Sequence, residues 1–400
     1  MAVPTSTGIG APGTAPAPAS LAASPMSSTP QPASAASIPF TRGSTLATMQ
    51  DFSGSYDAGA SAQVSLQTNA FLEAIILDVE LTTAGNAAAV AFDADAPFSV
   101  LSTLSLSDPA NQAIITPTTG YGLYLLNKYL PDTECAFDPQ TDPNYSAVTG
   151  TGATGGSFHF RLVIPVEHRK RDALGAVNNS AANQRYLLAF NVISSFASLY
   201  STAPTTEASS VTITATQLYW TSPPATITTS AGSTAVQQTP AGLGTVGFVR
   251  YESHNEVSGG GSPQFQLSNV GDYISSLIFV LRDSSGARDS ADWPSVFNWW
   301  VNDFEVHALP TKVWQRAMAR FYDYTAAIGS AGGLDTGVFV LYQLASLFDR
   351  SENFGPANQY LATDATTKLQ VRGSTWGSDA NKLEVYTRSI RPVSGAALFN

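Results

Sequence analysis

The two halves of this 400-residue chain repeat the same succession of sequence patterns, about two hundred positions apart. Residues 45–66 (TLATMQDFSGSYDAGASAQVSL) are matched by residues 245–267 (TVGFVRYESHNEVSGGGSPQFQL). Each segment leads into an apolar run, 72–77 in the first half and 274–279 in the second. Few residues are identical, so the inference that one domain type occurs twice depends on the order of the patterns. A chain of this length can bury two separate cores.

Short runs with the composition of β-strands dominate both halves. They are rich in β-branched and aromatic residues and are separated by turn residues, which predicts an all-β sandwich in each half. In one run, Val211, Ile213, Ala215 and Gln217 alternate and should share one face. The predicted strands are 63–66, 71–81, 158–164, 186–193 and 211–220, then 264–267, 273–281, 296–301, 304–309, 338–344, 368–372 and 383–390.

Each half also contains one predicted helix at a comparable place. Apolar residues from Val313 to Phe321 recur at intervals of three and four, which predicts an amphipathic helix after Pro310. The counterpart in the first half is 121–129, which precedes Pro131. The pair Asn302-Asp303 interrupts a strand pattern, and we interpret it as a β-bulge.

Charge is sparse and predominantly acidic. The chain has 19 Lys and Arg against 30 Asp and Glu, and its formal net charge is −11. Direct nucleic-acid binding is therefore not expected, because it requires a basic face that neutralises phosphates. The basic cluster 168–171 is flanked by Glu167 and Asp172, and a surface loop between two strands is favoured over a contact with phosphate or lipid headgroups. Cys135 is the single cysteine, so no disulfide can form within the chain.

Two segments rich in small and polar residues divide the chain. Residues 1–44, which carry no charge before Arg42 and many prolines, are predicted to be a flexible arm that becomes ordered only on a neighbouring surface. This composition is not that of a secretion signal. Residues 221–244 are predicted to link two domains, 45–220 and 245–400.

No motif in the sequence carries recognisable chemistry. Glu252, His254 and Glu256 would share one face of a strand, which permits a metal site, but a polar hairpin flank is the favoured interpretation. The acidic loop 138–144 lacks the central glycine of an EF-hand. We therefore predict no catalytic, cofactor-binding or metal-binding residues. The histidines occur singly, at His159, His168, His254 and His307.

The tryptophans allow two interpretations. A row of exposed indoles could form a platform for a sugar, but large aromatic residues more often fill the interior of a sandwich. We favour packing in the core. The residues concerned are Trp293, Trp299, Trp300 and Trp314.

The order of these elements resembles the double jelly-roll major capsid proteins, which build the shells of tailless icosahedral double-stranded DNA viruses, including tectivirus-like phages with an internal membrane. The resemblance is architectural and covers roughly residues 45–395. The segments that carry it are 273–286, Trp293-Pro294, 297–306 and 314–324, together with 72–81, 98–106 and 121–129 in the first half.

The resemblance implies two tandem eight-stranded jelly rolls, with short helices in the inter-strand loops and a flexible N-terminal arm. It also implies a homotrimer of pseudo-hexagonal outline that tiles a shell together with penton or minor capsid proteins, close to an internal viral membrane. The chain would then reside in the virion after assembly in the host cytoplasm. The uncharged, proline-rich arm favours a tie between neighbouring subunits over contact with lipid.

Two other classes of function stay open at this stage. Double jelly rolls also occur in glycan-cleaving enzymes, for which Glu252 and Glu256 near Trp293 would be the candidate residues. A carbohydrate-binding spike or adhesin would share the sandwich and its aromatic residues. The repeat, the low charge and the missing catalytic set favour the capsid interpretation over both.

Overall fold

Within the described residues, each half of the chain contributes eight principal strands. The computed structural model describes residues 37–83, 86–129, 138–152, 154–168, 172–228, 234–237, 239–240, 243–255, 262–321, 334–342 and 360–391. The first half contains β1 (Leu46–Asp57), β2 (Ser61–Ser65), β3 (Phe71–Leu81), β4 (Leu101–Ser107), β5 (Ala113–Thr118), β6 (Phe158–Pro165), β7 (Leu187–Val192) and β8 (Ser210–Trp220). The second half contains β9 (Val246–His254), β10 (Gln264–Leu267), β11 (Tyr273–Asp283), β12 (Val296–Val301), β13 (Phe304–Pro310), β14 (Val338–Tyr342), β15 (Leu369–Gly373) and β16 (Ala380–Arg391).

The two sets of strands pair in the same order. In the first half, one sheet runs β1-β8-β3-β6 and the other β2-β7-β4-β5. In the second half, the orders are β9-β16-β11-β14 and β10-β15-β12-β13, so every strand number is higher by eight. All of these pairs are antiparallel, and this order is that of a jelly roll. The prediction of an all-β chain with two tandem jelly rolls is confirmed.

Alternation of apolar residues explains which face of each sheet is buried. On β8, Val211, Ile213, Ala215 and Gln217 are all fully buried, so the predicted face is confirmed. The central strand β11 is buried on both faces over most of its length, and the central strand β3 is buried on both faces from Leu72 to Ile75. These strands are therefore the ones that read as nearly continuous apolar runs in the sequence.

Short helices and strands occupy the loops between the jelly-roll strands. Helix α1 (Gly120–Tyr129) follows β5, and helix α2 (Thr311–Phe321) follows β13, so both predicted helices are confirmed and lie at equivalent positions. The remaining elements are helical turns at Phe40–Gly43, Phe98–Val100, Pro139–Thr141 and Phe196–Leu199, and short strands at Ser37–Ile38, Asn86–Phe92, Ser146–Ala147, Gly150–Gly152, Val177–Asn178, Tyr200–Thr202, Thr226–Thr228, Thr234–Gln237 and Leu361–Ala362.

The interpretation of Asn302-Asp303 as a β-bulge is wrong in position, because the register shift of this strand pair lies between Trp299 and Trp300. These two residues form the tip of the hairpin that joins β12 to β13, with φ values of 50° and 63°. Positive φ at both central residues is the requirement of a type I′ turn, and Asn and Asp tolerate it better than most side chains. The interruption in the sequence pattern therefore marks the end of one strand and the start of the next.

A small sheet joins the base of the predicted arm to the predicted linker. Ser37–Ile38 pairs in parallel with Thr234–Gln237, which pairs in turn with Thr226–Thr228. Next to this sheet, the ring of Phe40 lies 5.1 Å from that of Phe71 and 6.1 Å from that of Trp220. Residues 1–36, which make up most of the predicted arm, lie outside the described residues.

Candidate functional site: the seam between the jelly rolls

The two jelly rolls share one continuous sheet. Strand β5 of the first roll pairs in parallel with β9 of the second, with Ile115 opposite Val249. The backbone N–H of Tyr251 donates to Oγ1 of Thr116 over 2.7 Å and reinforces this junction. The combined sheet runs β14-β11-β16-β9-β5-β4-β7-β2, so the seam contains backbone pairing as well as side-chain contacts.

Asp95 of the first roll holds two arginines of the second roll. Its Oδ1 lies 2.7 Å from Nε of Arg288, and its Oδ2 lies 2.9 Å from a terminal nitrogen of Arg282. Arg282 also binds Glu384 over 2.9 Å. Burial alone would lower the pKa of Arg282, but the two carboxylates raise it above its ordinary value. The guanidinium of Arg288 lies 4.8 Å from the ring centre of Tyr121, as a cation–π contact.

A second buried ion pair crosses the seam at the end of α1. Nζ of Lys128 lies 2.9 Å from Oδ2 of Asp335 and 3.1 Å from Asp138, and the side chains of Lys128 and Asp335 are 3% and 0% exposed. The hydroxyl of Tyr129 donates to Oδ1 of Asp335 over 2.5 Å. Tyr121 donates in the same way to the carbonyl of Leu334 over 2.7 Å. Helix α1 is therefore attached to the second roll by charge and by hydrogen bonds.

Polar contacts also cross the seam beside β16. Arg388 donates to the carbonyl of Glu167 over 3.1 Å, and Nε2 of His168 lies 3.1 Å from the carbonyl of Ser389. Gly247 packs against this imidazole so closely that an added Cβ would lie 2.3 Å from it. Since buried charges are stable only when paired and hydrogen-bonded, these contacts specify one relative orientation of the two rolls.

Gly122 of α1 packs tightly against Tyr386 of the second roll. A Cβ at this position would lie 2.4 Å from Cε1 of Tyr386 and 2.6 Å from Oγ1 of Thr118, and both residues are buried. We expect Gly122→Ala to destabilise the protein by about 1–3 kcal/mol through overpacking, although the same change in an exposed helix gains about 1 kcal/mol. Chemical denaturation of Gly122→Ala, alone and combined with Tyr386→Leu, checks this. The cost of Gly122→Ala should shrink when the Tyr386→Leu change is present, and an equal cost in both backgrounds would contradict the contact.

Burial makes the tyrosines of this region unusually weak acids. It raises the pKa of Tyr121, Tyr129 and Tyr386 well above the ordinary value near 10. In the first roll, burial raises the pKa of Tyr186 and Tyr200 to about 12. The neutral phenol is therefore the form that the folded protein stabilises.

These shifts predict an alkaline limit of stability. A phenol whose pKa is higher in the folded state contributes stability that is complete below pH about 10 and is lost as the pH rises through the folded pKa. We expect the free energy of unfolding to fall between pH about 10 and 12, and the ionisation of the buried tyrosines to coincide with the loss of β-sheet circular dichroism. Ultraviolet titration of the phenolates follows this, with the urea-unfolded chain as control. Complete ionisation near pH 10 with an intact β-sheet spectrum would contradict it.

Solved structures share this arrangement of two jelly rolls. The STIV MCP, from Sulfolobus Turreted Icosahedral Virus, is 13% identical, with 88% of this chain and 100% of that chain covered and a TM-score of 0.61. The PBCV-1 virus capsid chain is 9% identical, with coverage of 87% and 93% and a TM-score of 0.57. This chain has the double jelly-roll fold. The Faustovirus major capsid protein is 8% identical, with coverage of 87% and 90% and a TM-score of 0.50. No protein-family description and no curated protein matches the sequence.

In this double jelly roll, the candidate metal ligands are only partly assembled. Glu252 and His254 share a face of β9, with Nε2 of His254 3.8 Å from Oε1 of Glu252. The other carboxylate oxygen of Glu252 accepts a hydrogen bond from the backbone N–H of Ser268 over 2.9 Å. Strands β9 and β10 pair in different sheets, so the interpretation of Glu252 and His254 as a hairpin flank is wrong. Glu256 lies outside the described residues. Among the described residues, no group of three or more His, Cys, Asp and Glu side chains could hold a metal ion.

The remaining histidines and the acidic loop have structural environments. His159 lies in β6, where its Nδ1 is 2.7 Å from the carbonyl of Asn144, and His307 lies in β13. In the loop 138–144, Asp138 caps a helical turn and pairs with Lys128, and Asp142 pairs with Arg161 over 3.6 Å. This loop is therefore held by ion pairs from two neighbouring elements.

Most of the tryptophans fill the core of the second roll. Trp293, Trp299 and Trp314 are no more than 7% exposed, and Trp293 and Trp314 contact other aromatic rings of that core. Trp300 is half-buried beneath the guanidinium of Arg372, which lies 4.0 Å from its ring centre. The interpretation as core packing therefore holds for Trp293, Trp299 and Trp314.

No helix within the described ranges is long and apolar enough to cross a bilayer.

Proposed function

We propose that this chain is a major capsid protein, which trimerises into pseudo-hexagonal capsomers that tile the icosahedral shell of a membrane-containing double-stranded DNA phage. The observation that carries the proposal is the pairing of two jelly rolls with one strand order, joined by a continuous sheet and by ion pairs across the seam. The likeness to the capsid structures above supports it. The role proposed is structural and not enzymatic.

The geometry explains why such a unit suits a shell. Two similar rolls in each chain and three chains give six near-equivalent edges, so copies of one chain can close-pack in a hexagonal lattice. A fixed seam is required, because a hinge between the rolls would change the angle between neighbouring edges. The buried pair Lys128–Asp335 and the pair Arg288–Asp95, whose carboxylate is half-buried, supply that fixed angle.

The proposal extends to the organisation of the chain and to its partners. We infer an N-terminal arm at 1–44, a first roll at 45–220, a linker at 221–244 and a second roll at 245–400. The arm ties neighbouring subunits together. The partners are further copies of the chain and the penton or minor proteins at the vertices, and assembly takes place in the host cytoplasm. The net charge of −11 argues against direct contact with the packaged DNA.

Mass measurement in solution tests the proposal. Light scattering during size-exclusion chromatography should give three times the mass of the chain at moderate protein concentration. Raising the protein concentration should produce larger particles from this trimer. A strict monomer at high concentration would contradict the proposal.

A further inference from the structure

The seam between the two rolls buries one pair of surfaces within the chain. The internal repeat contains an equivalent pair of surfaces, which the described residues leave uncovered. At the seam, Ile115 of β5 is fully buried against β9. Ile115 lies five residues before α1, and Val306 of β13 lies five residues before α2. Val306 is 39% exposed, and Phe304 on the same strand is 73% exposed. Within the described residues, β12 is the single strand that pairs with β13, so its outer edge is open.

The surface of the second roll that binds the first roll is buried, whereas its equivalent in the first roll is uncovered. On β16, Glu384, Tyr386 and Arg388 are at most 5% exposed. Tyr386 packs against Gly122 of the first roll, and Arg388 binds Glu167 of that roll. Arg388 pairs with Val249, the residue opposite Ile115. The surface that binds the first roll therefore includes the outer face of β9 and β16.

The equivalent face of the first roll is uncovered. In the first roll, Leu218 of β8 pairs with Thr48 of β1, just as Arg388 of β16 pairs with Val249 of β9 in the second roll. The residues of β3 and β11 that pair with Leu218 and Arg388 occupy equivalent positions. Thr214, Thr216 and Leu218 are half-buried, and Thr48 is exposed. Strand β1 pairs with β8 alone in the part of the chain that the structure describes. This face, which we call the open β1–β8 face, is formed by these four residues.

We propose that the edge of β13 binds the open β1–β8 face of a second copy of the chain, with Val306 beside Thr48 of that copy. The contact repeats the seam between chains, and it rests on the proposed function because it assigns the interface of the proposed capsomer. It joins two different surfaces, so successive copies add head to tail and close into a ring when the rotation permits. Open strand edges are suited to pairing with another chain.

Engineered cysteines test the pairing directly. In a Cys135→Ser background, Thr48→Cys and Val306→Cys are introduced together, and opposite residues of paired strands lie within the reach of a disulfide. Mild oxidation should give covalent dimers and trimers on non-reducing gels. The matched control replaces Thr48→Cys by Gln63→Cys, an exposed position on β2 of the same roll, and should stay monomeric on the gel.

Mixing experiments define the polarity of the contact. A chain with only Thr48→Cys and a chain with only Val306→Cys should crosslink when mixed and not when oxidised separately. Crosslinking of the Val306→Cys chain with itself would indicate a head-to-head contact and would overturn the proposal. Val306→Lys should abolish the oligomer without changing the circular dichroism spectrum, whereas Leu243→Lys, at another exposed apolar position, should leave the oligomer intact.

The outcomes separate this inference from the proposed function. An oligomeric wild-type chain whose 48–306 pair does not crosslink would overturn the interface and leave the capsid proposal standing. A wild-type chain that is monomeric at every concentration would overturn both. Residues 1–36 of the same chain could instead cover position 48. Deleting them would then increase thiol labelling at Thr48→Cys, and this increase together with a failure to crosslink would also overturn the interface.

Discussion

Replacing Asp335 by alanine should lower the free energy of unfolding by about 3–5 kcal/mol, because it leaves the buried ammonium of Lys128 without its closest partner. Asp335 is fully buried and binds both Lys128 and Tyr129 across the seam. Asp138, which is 22% exposed, would remain 3.1 Å from the ammonium and would offset part of the loss. Urea denaturation, followed by circular dichroism and tryptophan fluorescence, measures the effect. The variant should still unfold in a single transition, at a lower urea concentration than the wild type, because the seam couples the two rolls.

Two controls identify the buried charge as the cause. Lys368→Ala removes an ion pair with Asp303 whose side chains are 53% and 62% exposed, and it should change stability by less than about 1 kcal/mol. The double variant Lys128→Met with Asp335→Leu should recover much of the loss, since no buried charge is left without a partner. A loss below about 1 kcal/mol for Asp335→Ala, or separate transitions for the two rolls in the wild type, would contradict the account of the seam.

Phe40→Ala should cost about 3 kcal/mol, the second large effect that the structure predicts. Phe40 is 3% exposed and packs edge-on against Phe71 and Trp220, in a cluster separate from the main core. The indole N–H of Trp220 is already fixed by its hydrogen bond to Glu167 over 2.9 Å, so the site can collapse only partly around the cavity. Chemical denaturation of the purified variant gives the loss of stability.

Phe40→Leu is the matched variant for this position. It keeps an apolar side chain of similar volume and should cost less than about 1.5 kcal/mol. If Phe40→Ala were as stable as the wild type, the base of the N-terminal arm would not be anchored in the first roll. The anchoring matters for the proposed function, because it fixes the base of the proposed arm on the first roll.

The sequence predicted the elements best where the apolar pattern was strong, either as a nearly continuous run or at helical spacing. The runs at 72–77 and 274–279 lie in the central strands β3 and β11, and both helices begin within a residue or two of their predicted starts. Strand β5 was not predicted, because Pro117 interrupts a short apolar run and proline demotes such a run. The Asn302-Asp303 turn was misread, because a positive φ at two residues leaves little trace in an alternation pattern.

The seam could not be predicted from the sequence. Asp95 and Arg288 are 193 positions apart, and neither lies in a motif that indicates a partner. His168 was taken as part of a basic surface loop, whereas the structure places it in a buried contact with β16. Pairing between distant charges depends on how the two rolls dock, and sequence periodicity specifies only which face of each strand is buried.

Electron micrographs of the purified protein test the central claim most directly. If the chain is a shell-building double jelly roll, particles viewed along the capsomer axis should show six lobes of nearly equal size, two from each of three chains. Particles with two lobes and no larger assembly, at any protein concentration, would contradict the claim.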